Sequence, residues 1–275
     1  MSLRINTNVE AFNTHRQLVG SADKMAKSME RLSSGYRINR ASDDAAGLAI
    51  SEKMRGQIGG LAQAQRNAQD GVSLVQTGEG ALTEVHSMLQ RVRELRVQYG
   101  NDTLNATDKT AIRAEVAQLA TEIGTIKTNT KFNGTSLLNA TGTVSLQVGA
   151  NDSESITINT ADLVGGAGMA EVVASATTAT DAGFVGLTLD DIDTAIQEVS
   201  TKRADFGAVQ NRLEHRLANL GSYQENLIAA ESRIRDVDMA EEMWKFTKSQ
   251  ILQQAGTSML AQANQAPQSV LSLLR

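Results

Sequence analysis

Between residues 192 and 234 the apolar positions of the chain recur in alternating steps of four and three. Ile192, Ile196, Val199, Phe206, Leu213, Leu217, Leu220, Leu227 and Ile234 lie on this ladder, and Arg203, Gln210, Gln224 and Glu231 fill its other rungs. A seven-residue period keeps one stripe of a helix turned toward a partner helix. Thr188-Leu-Asp-Asp191 upstream has the spacing of a capping box, with the threonine oxygen and Asp191 satisfying free backbone N–H groups. The helix so defined is about 65 Å long.

The first half of the chain supplies partners. Met54, Ile58, Leu61, Gln65, Ala68, Val72, Val75, Glu79 and Leu82 keep the same rhythm, and Val85, Leu89, Val92 and Tyr99 extend it with a shift. Gly59-Gly60 puts paired glycines inside this helix and predicts a local bend. A shorter helix starts near Thr107 with Ile112, Val116, Leu119, Ile123 and Ile126 on one stripe, and Leu18, Ala22, Met25, Met29 and Leu32 form an earlier seam. The fold class expected is mainly α, an elongated antiparallel coiled coil or helix bundle. Its central seam holds Ile58, Leu61, Val72, Val75, Leu82, Ile192, Ile196, Phe206, Leu213, Leu217, Leu220 and Leu227. The polar rungs Gln65, Glu79, Arg203, Gln210 and Gln224 either set the register or sit at a wet edge.

The middle of the chain changes period. Phe132-Asn-Gly134 is a turn signal, and Val144, Leu146 and Val148 alternate, as do Ile156 and Ile158 across Gly149–Glu154. A small β-hairpin insert is expected there. Residues 162–186 are rich in Gly, Ala and Thr and nearly aperiodic, which predicts a surface excursion.

From Ser249 to Leu274 there is no charged residue, yet Gln and Asn recur. A solvent-facing helix carries charges, so this segment fits a place enclosed by other protein. Little chain remains to cover it, and the cover expected is another copy. Both ends are expected to be unfolded in the lone subunit and helical on assembly, because an isolated helix of this kind is marginal. The candidate assembly contacts are Ile5, Val9, Leu18, Met25, Met29, Leu32, Ile251, Leu252, Met259, Leu260, Val270, Leu273 and Leu274.

Composition narrows the function. Aromatics make up 3 % of the 275 residues, Pro267 is the one proline, and cysteine is absent. Low aromatic bulk argues against a compact globule, and the lack of cysteine removes disulfides, thiolate metal sites and a thiol nucleophile. A net charge of −5 without a basic, aromatic-rich segment argues against nucleic-acid binding. No signal-peptide core and no apolar stretch of membrane-spanning length is present. Localisation is cytosolic by default unless export uses a route without a cleaved signal.

Candidate chemistry is thin. His15, His86 and His215 form no H-E-x-x-H pattern. Asp43-Asp44 precedes a helix start and fits a cap better than a catalytic pair. Asp190, Asp191 and Asp193 lack the glycine and distal glutamate of a calcium loop. Gly165-Gly-Ala-Gly168 has no Lys-Ser/Thr after it and is not a phosphate cradle. Asn101-Asp-Thr and Asn133-Gly-Thr match glycosylation sequons, and the Ser and Thr of 135–185 could carry O-linked sugars. No cofactor, metal or catalytic residue is expected.

Several runs together resemble bacterial flagellins. These are Leu32-Ser-Ser-Gly-Tyr-Arg-Ile-Asn39, Ala41-Ser-Asp-Asp-Ala-Ala-Gly-Leu-Ala-Ile50, Arg66-Asn-Ala-Gln-Asp-Gly-Val-Ser73, Thr77-Gly-Glu-Gly-Ala-Leu82, Leu89-Gln-Arg-Val-Arg-Glu-Leu95, Gln250-Ile-Leu-Gln-Gln-Ala-Gly-Thr-Ser258, Ala261-Gln-Ala-Asn-Gln-Ala-Pro-Gln268 and Leu271-Ser-Leu-Leu-Arg275. The resemblance spans about residues 1–140 and 187–275, and it is to short flagellins with little outer domain. It implies a structural subunit, not an enzyme, that polymerises into an extracellular filament by non-closing contacts. It also implies unfolded export through the flagellar type III apparatus, with an export chaperone and a filament cap as partners. Segments 1–45 and 236–275 would form the filament core, 46–135 and 187–235 the surrounding spoke, and 136–186 an outward insert. Arg91, Leu95 and Glu115 match positions that contact a vertebrate innate receptor, with Arg96 where a small residue is common. They equally suit ion pairs between subunits. Two other readings stay open: a hook–filament junction protein, which does not polymerise indefinitely, and a cytosolic coiled-coil adaptor, which would be a stable soluble dimer.

Overall fold

The computed structural model describes residues 8–160, 162–177 and 186–273. Among them are six helices: α1 Val9–Ser34, α2 Ala45–Tyr99, α3 Ala106–Asn129, α4 Ala167–Thr177, α5 Leu189–Arg235 and α6 Met239–Leu273. Short strands β1 Lys131–Phe132, β2 Thr135–Ser136, β3 Gly142–Gln147 and β4 Ser155–Thr160 form two antiparallel hairpins. The fold is mainly α with a small β insert. Two compact units share the chain, one of residues 57–225 and one of residues 1–56 with 226–275.

In the unit of residues 57–225, α2 and α5 run antiparallel. As the α2 number rises through Gly71, Gly78 and Arg93, the α5 partner falls through Leu213, Phe206 and Asp193. Leu61, Ala68, Val75, Leu82 and Leu89 recur every seventh residue of α2 and are buried, as are Ile192, Val199, Phe206, Leu213 and Leu220 of α5. The alternate rungs Ile58, Val72, Ile196 and Leu217 are half-buried. The shift at Val85 has a simple cause. A second buried stripe, Ala64, Gly71, Gly78, Val85 and Val92, runs beside the first, so α2 packs on two fronts.

Four polar rungs join across the seam. The Gln65 carboxamide donates to the Gln224 side-chain oxygen at 2.9 Å, and Arg203 lies 3.8 Å from Glu79. Gln210 instead donates to Glu214 one turn along its own helix. Helix α2 passes Gly59-Gly60 without interruption. A β-carbon at Gly60 would stand 3.2 Å from that of Ala150, so the glycine admits the hairpin loop.

The local signals are met by matching geometry. Asn105 and Asp108 form a capping box at the start of α3, just ahead of the expected Thr107. Thr188 and Asp191 form the expected box, with the Asp191 amide donating to the threonine hydroxyl at 3.1 Å and the Asp191 carboxylate accepting from the Thr188 amide at 2.9 Å. Asn133 and Gly134 have φ of 46° and 82°, the two positive values that a tight hairpin turn requires. Strands β3 and β4 pair Val144 with Ile158 and Leu146 with Ile156.

The stretch 162–186 departs from the aperiodic reading. Residues Ala167–Thr177 form α4, which packs on α3 and sinks Met169 and Val172 completely. The small residues around these two large ones dilute the helical period in the sequence. Glu198 of α5 starts the helix: its carboxylate accepts from the amides of Gly168 at 3.4 Å and Met169 at 3.2 Å. A β-carbon on Gly166 would collide with that carboxylate, and one on Gly168 with the α5 backbone at 2.6 Å. The glycine run cradles an oxyanion after all, but the anion is the chain's own.

Candidate functional site

In the unit of residues 1–56 and 226–275, α1 and α6 pair antiparallel. Asn8 caps α1 by accepting from the Ala11 amide at 3.0 Å and donates to the Ala263 carbonyl at 2.8 Å. A β-carbon on Gly256 would lie 3.2 Å from Leu18, and Arg31 stands 3.8 Å from Glu242.

The polarity of this pair is inverted. The buried polar residues of the pair are Ser28, Glu242 and Ser249, with Ser51 of α2 buried beside them in the same unit, while Ile38 and Ala263 are that unit's only buried apolar side chains among the described residues. Phe12 is 74 % exposed, Trp244 63 %, and Val9, Ile251, Met259, Met29 and Leu252 are exposed as well. Of the candidate assembly contacts, Leu18, Met25, Leu32 and Leu260 are half-buried. Ile5, Leu274 and the side chains of Val270 and Leu273 lie outside the described residues. A self-sufficient helix pair turns its apolar stripe inward. This one leaves most of it facing out, and contiguous exposed apolar surface marks an interaction site.

The link between α1 and α2 explains the run from Leu32 to Ile50 residue by residue. Gly35 ends α1 at φ 75°, its amide donating to the Arg31 carbonyl at 2.8 Å. Its carbonyl accepts from Val237 at 3.0 Å and the Arg37 amide donates to the Arg235 carbonyl at 2.7 Å, so Tyr36 bridges to Asp236. The Arg235 guanidinium lies 4.9 Å over the Tyr36 ring and 2.7 Å from Glu52. Ile38 is buried beneath. The Asp43 carboxylate accepts from the amides of Asn39 and Arg40 and meets Lys27 at 2.7 Å. The Lys27 hydrogen bond and those amides hold its carboxyl down to about 2. Asp44 accepts from the Gly47 amide at 2.9 Å and caps α2. The aspartate pair is a fastening and a cap.

Arg91, Leu95 and Glu115 come together in the other unit. Arg91 pairs with Glu115 at 2.9 Å and Glu94 at 3.2 Å, both exposed, while Leu95 beneath them is 2 % exposed. Arg96 turns away from this group: its Nε donates to the Leu187 carbonyl at 2.7 Å and its guanidinium lies 5.6 Å from the centre of the Tyr99 ring. The seam residues Leu61, Val75, Leu82, Ile192, Phe206, Leu213 and Leu220 are buried. Leu227 is half-buried. Sequence reading missed the Glu198 seat and the Lys27–Asp43 clamp. Their partners lie far apart in the chain, and no local period announces them.

This helical framework and its uncovered apolar helix pair are those of a subunit that associates with further copies or partners through exposed apolar surface. Comparison gives the class its name. The bacterial flagellin N-terminal helical region matches residues 5–143 and the bacterial flagellin C-terminal helical region residues 189–274. A flagellin of Bacillus subtilis is 51 % identical over 304 aligned residues, covering 99 % of this chain and 100 % of its own. A flagellin of Halalkalibacterium halodurans is 54 % identical over 276, covering 98 % and 99 %. The crystal structure of Bacillus cereus flagellin aligns with a TM-score of 0.50 at 34 % identity, over 60 % of this chain and 94 % of that one. The chain belongs to the bacterial flagellin family. It is a structural subunit of the flagellar filament.

Proposed function

We propose that this subunit is exported unfolded through the flagellar type III apparatus and folds its terminal helices only against neighbouring copies at the filament tip. An export chaperone and a filament cap attend these steps, and the chain performs no catalysis. Segments 1–45 and 236–275 form the filament core, 46–135 and 187–235 the spoke around it, and 136–186 faces outward. One observation supports the reading above all. Among its described residues, the unit of 1–56 and 226–275 buries only Ile38 and Ala263 of its apolar side chains and exposes Phe12, Trp244, Ile251 and Met259. A helical homopolymer covers such a face by heterologous contacts that do not close.

Seeded elongation of purified full-length subunit, followed by electron microscopy, tests this. Long filaments are expected from the native chain and short or absent ones from Phe12→Ser, with the helix content of residues 57–225 unchanged. A native chain that stays short at every seed concentration would return the hook–filament junction reading. Recognition by a vertebrate innate receptor is a second reading. The exposed Arg91–Glu115 pair favours it. A reporter-cell assay with Arg91→Ala tests it, and equal response from both proteins contradicts it.

A further inference from the structure

The chain has nine methionines and no cysteine, so its oxidisable sulfur is all thioether. Those thioethers are not spread evenly. Met29, Met239, Met243 and Met259 are 49–59 % exposed, and all four lie on the inverted unit. Met25 and Met54 of the same unit are half-buried, and in the other unit Met88 is half-buried and Met169 fully buried. The methionine side chains most open to solvent among the described residues are therefore those of the unit with the uncovered apolar surface.

We propose that Met29, Met239, Met243 and Met259 form a peroxide-sensitive modification site that controls whether the free subunit can assemble. The inference rests on the assembly reading above. In the reaction a thioether lone pair attacks one oxygen of hydrogen peroxide. The S–O bond forms, the O–O bond breaks, and the second oxygen leaves as water after proton transfer. Sulfur loses two electrons and peroxide gains them. The product sulfoxide turns a flexible apolar side chain into a polar one. A copy docking on this face must then bury a strong acceptor in place of a thioether. Without a donor to meet it, each such burial weakens association on the order of tenfold or more. Oxidised subunits are excluded from the growing end, and assembled copies shield the same sulfurs. Because sulfoxides are reducible, the block is reversible.

The test uses full-length soluble subunit and dilute hydrogen peroxide. Peptide mass mapping is expected to show one added oxygen at each of the four methionines and none at Met169. Seeded elongation is expected to fall on the order of tenfold or more, and to return after treatment with sulfoxide reductases for both epimers. The combined variant M29L/M239L/M243L/M259L is expected to elongate equally well before and after peroxide. Undiminished elongation of mapped, oxidised protein overturns the inference, as does failure of reduction to restore it or an equal loss in the leucine variant. If the leucine variant does not elongate before treatment, the oxidation and repair of the native chain decide the matter. Failure of untreated native chain to elongate sinks the assembly reading as well, whereas elongation unaffected by oxidation sinks this inference alone.

Discussion

The ring of Phe206 occupies the space where Gly78 lacks a side chain: a β-carbon there would stand 2.7 Å from the nearest ring atom. Seven residues back along α2, Gly71 is open in the same way to Leu213 and to Leu146 of the hairpin. Two glycines one heptad apart thus receive two large side chains one heptad apart on the antiparallel helix. Gly78→Ala gains about 1 kcal/mol of helix propensity, but overpacking against a fully enclosed ring costs about 1–3 kcal/mol. Denaturant unfolding is expected to show net destabilisation. Gly80→Ala, with nothing within 4 Å, is expected to gain about 0.5–1 kcal/mol. Equal effects of the two changes would remove the packing role of Gly78.

Gln65 and Gln224 satisfy one another across the seam. Gln65→Leu alone leaves the Gln224 carboxamide without its partner and is expected to cost about 1 kcal/mol. The double change Gln65→Leu with Gln224→Leu removes both polar groups and is expected to recover that loss in the same unfolding experiment. Additive losses would show that the two residues act independently.

The carboxylate of Glu198 is the N-terminal cap of α4, whose first turn holds no acidic residue of its own. Glu198→Ala is expected to cost about 1 kcal/mol, the usual worth of a cap. Amide exchange at Gly168 and Met169 should accelerate while the core of α2 stays protected. Unchanged exchange at these two amides would mean that the helix start does not need the carboxylate.

Asp43 brings a pH dependence. Its carboxyl titrates at about 2 in the folded chain, against an ordinary value of about 3.9. A lowered carboxyl favours the ionised folded form, so its contribution is complete above the ordinary value and disappears as pH falls from about 4 to about 2. The thermal midpoint of assembled native protein should exceed that of assembled Asp43→Asn by a constant margin above pH ~4. That margin should close toward pH ~2. A margin that persists in acid would assign it to something other than the Lys27 clamp.

Periodic features were legible in the sequence, and features made by partners distant in the chain were not. The ladder on α5, the seams of α2 and α3, the Thr188 cap and the Asn133-Gly134 turn all follow from local spacing or from a single residue's backbone preference. Helix α4 stayed hidden because, among its described side chains, Met169 and Val172 are the two fully sunk, and small residues surround them. The heptad of small residues at Ala64, Gly71 and Gly78 was invisible to a search for large apolar positions, although it carries the second buried stripe. The inversion at the chain ends was half legible. The uncharged run after Ser249 called for a protein cover, but the burial of Ser28, Ser249 and Glu242 appears only when α1 and α6 are set side by side.

Amide hydrogen exchange on free subunit and on filament, compared over α1 and α6, tests the central claim most directly. Weak protection of both helices in the subunit and strong protection in the filament are expected, with the interior of α2 and α5 in residues 57–225 protected in both. Strong protection of α1 and α6 in the isolated subunit would show that the chain ends need no neighbour to fold.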